Sequence, residues 1–521
     1  NESNYSKALN YYERAKQVAD SIKDISSIVK IEEGIGSLFY NINRPLRSIE
    51  IFKETETKIN PDEMPFELIN IYSKLGTVLT SIDSLKQAEN YFLKGIELAE
   101  RTGDIYNSLV LKTELAHNFY KQNNFAKATS HLSEAQKTAN EYQLTQLLAL
   151  QDLYLGKIYT AENSYSKANE RFQNSFRLSK DVKDINTQIE SGYLLAKNFE
   201  EELQFDKAES WYSSTMNLIE NISFPLILNQ EIQIAHFSGL NDIYNSFAKF
   251  YLIQGKNKEA FTIIDKSRSR NTKVNLDKLQ LVSQLREKKD YDKIIDLQWM
   301  IESGLYSQSE TDSIKQKLEE LEIDLTKKNK DIAGMIGRNH AIDLNELQKH
   351  LSEDENLISV YVADDFTTLF KLNQKDFGSI SIDLTRDSLL SMLRSISPIY
   401  KDGLENDEIY INEDLFSFNS YAAYKFYEII FSELLSTISK ESKLIVSLPP
   451  DLVKLPLELL VTEWNEDDSP YYYRNKNFLL EDFQIMYTPS AAIYNIQKGR
   501  NEQSSKQNLL VGDPFINDGE F

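Results

Sequence analysis

Small and bulky side chains recur along the first half of the chain with a fixed period. Ala8, Ser48, Ala88, Ala128, Ala168 and Ala208 stand 40 positions apart. Four residues after each comes a bulky side chain: Tyr12, Phe52, Phe92, Leu132, Phe172 and Tyr212. Three further on is a mostly small one: Ala15, Thr55, Gly95, Ala135, Ser175 and Thr215. A spacing of four then three puts each trio on one helix face, with small residues where a neighbouring helix comes close. A second series marks the preceding helix: Gly36 with Phe39, Gly76 with Leu79, Ala116 with Phe119, Gly156 with Tyr159 and Ala196 with Phe199. Each unit is thus predicted to be a helical hairpin, and a repeat of this length implies units stacked on a continuous core. A seventh unit fits after a longer spacer: Ala248, Tyr251, Ala260, Ile264 and Ser267.

Small, aromatic, Ala, aromatic, Ala, in that order, resembles the tetratricopeptide repeat. The 40-residue period implies longer helices than the common repeat of about 34 residues, and helix ends here carry Asp24, Asp104 and Asp184. The resemblance implies a right-handed α-solenoid of about seven hairpins over residues 1–270. The first helix of each unit would line its concave face. Projection of the register places Asn70, Ser73, Thr77, Thr113, His117, Tyr120, Lys157, Tyr193 and Lys197 there. Such mixed polar and aromatic groups suit capture of an extended peptide or a helix from a protein partner. Asn1 is not Met and lies just ahead of the second helix of a unit, so the natural N-terminus is expected to lie earlier.

From about Lys273 to Asp331 the pattern stays helical but leaves the register. Ile314, Leu318, Leu321 and Leu325 form an apolar seam among Lys and Glu. A hairpin of Leu279–Ile301 against Asp312–Lys330, turning near Gly304, makes 271–338 a connector. After Gly337 the texture changes again. Asp343 and Glu346 cap a short helix, Leu344–Leu351. Asn356–Val362 and Thr367–Leu372 read as strands joined by Asp364-Asp365. Leu389–Ile396 and Ala422–Ile438 read as helices, and Leu444–Leu448, Phe483–Tyr487 and Leu509–Val511 as buried strands. Helices alternating with buried strands predict an α/β sandwich.

The stretch from Lys443 through Pro449-Pro450-Asp451 to Leu455-Pro456-Leu457-Glu458-Leu459-Leu460 is the most specific piece of the second half. It is similar to the "P-D-x-x-L-x-x-L-P-[FW]-E-x-L" segment of CHAT domains, caspase-like domains that follow tetratricopeptide repeats in many bacterial proteins. Phe478 to Asp482 leading to Tyr487-Thr488-Pro489-Ser490, Leu509 to Pro514, and Ser267-Arg268-Ser269-Arg270 resemble three more family landmarks. The resemblance implies that 339–521 is the N-terminal, pseudo-caspase half of such a domain. It further implies a cysteine endopeptidase with a His base and a Cys thiolate, cutting a protein substrate under control of a partner held by the repeats. In some relatives that partner is an RNA-guided CRISPR effector; in others the substrate is a gasdermin-like pore former. The alternative is a non-enzymatic scaffold with a degenerate CHAT domain, or a signalling regulator whose α/β domain is only CHAT-like.

Composition narrows this picture. There is no cysteine, so the chain holds no disulfide, Cys-ligated zinc or thiolate nucleophile. The His and Cys motifs of the family would follow the Gly-Asp-Pro strand, beyond Phe521. The chain as given is therefore expected to be proteolytically inert, and no catalytic residue is assigned. Its five histidines, His117, His131, His236, His340 and His350, stand outside that position. His131 and Glu134 sit one turn apart, too little for a metal, and neither metal nor cofactor is expected. The net charge of −22 carries no basic stripe, which argues against direct sequence-specific nucleic-acid binding. Asp402 to Asp414 is an acidic run suited to a solvated loop. No apolar stretch reaches membrane-spanning length, and a cytoplasmic location is expected.

Overall fold

The structure, a computed structural model, describes residues 2–41, 44–220, 230–269, 343–397, 418–465 and 467–501, with scattered positions between 293 and 321. The side chains of 2–8, Asn10, 230–239 and 499–501 are outside that description. It divides into two compact units, Asn1–Ile243 and Tyr244–Phe521.

The first unit is a run of paired helices, the last of which continues past Ile243 into the residues of the second unit. They are α1 (Glu2–Ile22), α2 (Ile25–Asn41), α3 (Pro45–Glu56), α4 (Pro65–Ser81), α5 (Leu85–Thr102), α6 (Ile105–Lys121), α7 (Phe125–Glu141), α8 (Thr145–Ala161), α9 (Tyr165–Asp181), α10 (Ile185–Glu201), α11 (Phe205–Glu220) and α12 (Gln230–Ile253). The periodic residues meet inside each hairpin. Ser48, Ala88, Ala128, Ala168 and Ala208 are wholly buried, as are Phe52, Phe92, Leu132, Phe172 and Tyr212. The rings of Phe52, Phe92 and Phe172 lie flush on the backbones of Gly36, Gly76 and Gly156, where a Cβ would collide with the ring. Where the first helix carries Ala116 instead, the facing residue is Leu132, which needs less room at that point.

The turns show a finer period than the side chains do. Asp83, Gly103, Asn123, Gln143, Asn163, Lys183 and Leu203, twenty residues apart, all take positive φ. The next residue donates its N–H to the carbonyl five back, as in Asp104 to Ala99 at 2.8 Å and Ser164 to Tyr159 at 2.7 Å. This is the Schellman closure of a helix end. Where that residue is Asp104, Asn124 or Asp184, its side chain then caps the next helix. Asp104 accepts from Asn107 N at 3.1 Å, and Asp184 from Thr187 N at 3.2 Å. One three-residue turn thus ends one helix and starts the next.

The second unit holds a five-stranded sheet of order β3-β2-β1-β4-β5. Its strands are β1 (Glu355–Val362), β2 (Thr367–Leu372), β3 (Phe377–Ile382), β4 (Lys443–Ser447) and β5 (Gln484–Tyr487). β1, β2 and β3 form an antiparallel meander, while β4 and β5 run parallel to β1. The expected strands are present within the described residues, and β3 is an addition. Leu509–Val511, Asp402–Asp414 and nearly all of the 271–338 connector lie outside the described residues, although Ile314 and Leu318 of its seam are buried.

One face of the sheet, with Ile358, Val360, Leu369, Leu444 and Val446, is buried in a common apolar core with Leu389, Leu393, Phe426 and Phe431. The last four come from two covering helices, Arg386–Ile396 and one that starts over Ser420–Phe426, widens into a π-turn at Tyr427–Phe431 and resumes over Ser432–Leu435. The other face meets α13 (257–269), the last helix with repeat spacing, and the helix Ala491–Asn501. Phe261 of α13 packs edge-on to Phe370 and Phe377 at ring separations of 5.6 and 5.7 Å. The repeat spacing runs to about 270, yet the chain divides at Ile243 and Tyr244. α13 explains the difference. Ala260 and Ile264 keep the repeat pattern, while Phe261, Asp265 and Arg268 contact the sheet unit.

Candidate functional site

Successive first helices touch each other, α2 with α4, α4 with α6, α6 with α8 and α8 with α10, while the second helices meet one another at most weakly. The first helices therefore form the inner side of the array. Of the residues projected onto it, Asn70 is exposed and Ser73, Thr77, His117, Tyr120, Lys157, Tyr193 and Lys197 are partly buried. Thr113 is different: it is fully buried, donates to Leu109 O at 2.8 Å and accepts from Gln151 Nε2 at 3.0 Å. It belongs to the core between hairpins. Like bonds join Asn118 to Thr80 and Asn198 to Thr160. A helix face has only about 3.6 positions per turn, so a register error of one position moves a side chain from the groove to the seam.

The structure gathers several of these residues at α6, α8 and α10. The His117 ring stacks on Tyr154 at 4.5 Å and 9°, and on Tyr120 at 6.2 Å and 17°. Lys157 lies 5.4 Å from the Tyr154 ring centre and pairs with Glu190 at 2.6 Å. Glu114, one turn before His117, accepts from the Tyr154 hydroxyl at 3.4 Å. Burial raises the Glu114 carboxyl to about 7, against weaker opposing effects of Tyr154 and Lys157. Burial, with Lys157 and Lys121 nearby, pushes His117 down to about 4, so its ring is neutral at pH 7. Glu114, Tyr154 and Glu190 were not singled out by the sequence pattern. The signal existed: Glu114 and Tyr154 stand one period apart, in a column that reads Lys74, Glu114, Tyr154, Leu194. Tyr193 and Lys197 stand elsewhere along α10, Tyr193 near the Tyr212 ring at 6.4 Å and Lys197 on Glu200 at 3.2 Å.

Other histidines have structural roles. His131 stacks on Phe119 at 5.4 Å, and its neighbour Glu134 reaches Lys112 at 3.4 Å. His350 Nδ1 lies 2.5 Å from Asn495 Oδ1. The His236 side chain and His340 fall outside the described residues. Among the described residues no three His, Cys, Asp or Glu side chains gather as metal ligands would.

In the sheet unit the place to look for a ligand is near the carboxyl ends of β1 and β4, where the strand order reverses. Arg268 of α13 occupies it. Nη1 donates to Ser359 Oγ at 3.0 Å and to Ser447 O and Oγ at 3.1 Å, and Nη2 donates to the Val360 carbonyl. One turn earlier, Asp265 accepts from Ala491 N at 2.5 Å and Ala492 N at 3.0 Å, at the start of the last described helix. Two of the sequence landmarks also meet: Tyr487 donates to Glu458 Oε2 at 2.7 Å and accepts from Leu457 N at 2.8 Å. Glu458 thus fastens the Pro456 turn to β5.

These features define a tetratricopeptide-like helical-repeat array followed by an α/β unit. No family model matches the chain, and no curated protein does. Solved structures do. BtubC from P. vanneervenii is 17% identical, with 42% of this chain and 90% of that one covered at a TM-score of 0.35. A STAND signal-transduction ATPase with a tetratricopeptide repeat sensor from Pyrococcus horikoshii is 14% identical, with 50% and 39% covered at 0.39. NprR, solved in complex with its cognate peptide NprX, is 15% identical, with 61% and 98% covered at 0.34. At such identities and scores the likeness brings no activity, substrate or partner to this chain.

Proposed function

We propose that the repeat array captures a segment of a protein partner, and that the α/β unit belongs to a caspase-like cysteine endopeptidase controlled by that capture. The observation that carries the first half is the cluster of partly buried polar and aromatic side chains along α6, α8 and α10, on the side where the first helices converge. The second half is supported by the CHAT-like segments, two of which join through Glu458 and Tyr487, and by the parallel strands β1, β4 and β5 between helices. The thiolate of such an enzyme must lie outside these 521 residues, which contain no cysteine. Candidate partners keep the range set by the resemblance, an RNA-guided CRISPR effector among them.

The filling of the β1–β4 switch point by Arg268 favours a second reading, a scaffold without catalysis, with which the cysteine-free chain is consistent. The two part in one experiment. The whole encoded protein is produced in cells with and without Tyr120→Ala, and new protein N-termini are mapped. Termini that appear with the wild type and fade with the variant support the protease. An unchanged set, with peptide binding to the array intact, leaves the scaffold.

A further inference from the structure

Glu114 is placed as an incomplete half of an ion pair. Its carboxylate is partly buried on the inner side of α6, and its polar contact is one tyrosine hydroxyl at 3.4 Å. Among the described residues no Lys or Arg reaches ion-pair distance of it. Lys157, the cation that acts on it, is committed to Glu190 at 2.6 Å. A carboxylate taken from water without a cation costs several kcal/mol, and the raised proton affinity of Glu114 is the sign of that cost. The two fully buried acids among the described residues of the first unit do have cations. Asp152 is met by Arg171 at 2.9 Å, and Glu32 by Lys16 at 2.7 Å and Lys58 at 2.5 Å.

The surroundings state what would complete it. His117 lies beside Glu114 as a flat neutral ring, nearly parallel to Tyr154 and Tyr120. A planar cation gains from such rings by stacking and from a carboxylate by a two-pronged hydrogen bond, and the guanidinium does both where an ammonium does not. Of the two cations that act on His117, Lys157 pairs with Glu190 at 2.6 Å and Lys121 with Asp83 at 3.8 Å, so among the described residues an anion finds neither of them unpaired.

We propose that the inner face of α6 and α8 is a receptor for an arginine side chain of the captured segment, with Glu114 pairing the guanidinium and the His117 and Tyr120 rings stacking beside it. This rests on the reading that the array captures a protein segment, and names the residue that capture recognises.

The test uses the whole chain with its five histidines carbon-13 labelled at Cε1, the His117 signal being the one missing from His117→Gln. The probes are N-acetyl-arginine methylamide and its neutral isostere, the citrulline analogue. The arginine probe is expected to shift the His117 signal saturably, with a dissociation constant on the order of millimolar, as one ion pair and one stack allow. The citrulline probe should bind at least about tenfold more weakly, the loss of a charge-assisted pair, and Glu114→Gln, with its other histidine signals unmoved, should lose arginine binding to the same degree. A His117 signal that ignores arginine, or answers citrulline equally, or keeps its response in Glu114→Gln, overturns the proposal. Selection of displayed random peptides on the same chain separates the two levels. Binders that Tyr120→Ala weakens but that lack arginine and tolerate Glu114→Gln sink the arginine site and leave capture standing. A selection without binders, with the arginine probe still seated on Glu114, does the reverse.

Discussion

Gly156 leaves only a hydrogen between the α8 backbone and the Phe172 ring. Gly156→Ala should therefore lower stability by about 1–3 kcal/mol, the cost of overpacking a close-packed site. The chain itself supplies the remedy: Ala116 faces Leu132 at the same place in another hairpin. The pair Gly156→Ala with Phe172→Leu should be less unstable than the sum of the two single changes, by urea midpoints in a double-mutant cycle. Glu114 gives a second prediction at this scale. Its carboxyl ionises near 4.5 in the unfolded chain and near 7 in the fold, because burial favours the neutral form. Between those values the folded state holds the extra proton, so this group makes stability fall as pH rises from about 4.5 to about 7 and stay level above. Glu114→Gln should remove that fall, narrowing the difference between urea midpoints measured at pH 5 and pH 7.5. An unchanged difference would show that Glu114 keeps an ordinary proton affinity.

At the scale of elements the turns dominate. Nine described helix-to-helix turns, those centred on Lys23 and Gly255 included, place their middle residue in the left-handed region, and only Gly103 and Gly255 do so without steric cost. Leu203 does it at φ 58 and is 72% exposed, with no packing to compensate. Leu203→Gly should stabilise by about 0.5–1 kcal/mol, seen as a higher melting temperature, and Gly103→Ala should cost a similar amount. Asp104→Ala removes a cap and should cost about 1 kcal/mol. The equivalent position 144 is a leucine because it trades the cap for packing on Leu109, Ala139 and Leu147. β3 was not legible in the sequence. Phe377-Gly378-Ser379-Ile380-Ser381-Ile382 is short and partly exposed at the sheet edge, and its pairing with β2 is what makes it a strand. The helix Ser420–Phe426 was readable in place but not in form, since its π-turn follows from packing of Ile430 and Phe431 into the sheet core.

On the scale of the whole molecule, Arg268 and Asp265 make α13 a part of the sheet unit. Arg268 spans β1 and β4, and Asp265 holds the start of the last described helix. Arg268→Ala leaves Ser359, Ser447 and the Val360 carbonyl without their donor and Asp265 without its nearby cation. It should destabilise the second unit by at least about 2 kcal/mol, the cost of breaking a largely desolvated charged network. Hydrogen exchange should quicken in β1, β4 and α13 while α4 to α10 keep their protection, since the units are separately compact. Equal loss in both units would mean that the repeats depend on this joint.

The sequence by itself determined the repeating hairpins, the inner column and most strands. Each rests on local spacing, and spacing fixes which residues share a helix or strand face. Tertiary structure decided the rest. It buried Thr113 in the seam, brought Glu114 and Tyr154 together from neighbouring hairpins, and bound α13 to the sheet through Arg268. Those contacts join residues from 38 to 179 positions apart. Their partners are chosen by packing and by the need to satisfy desolvated polar groups, which no local pattern records.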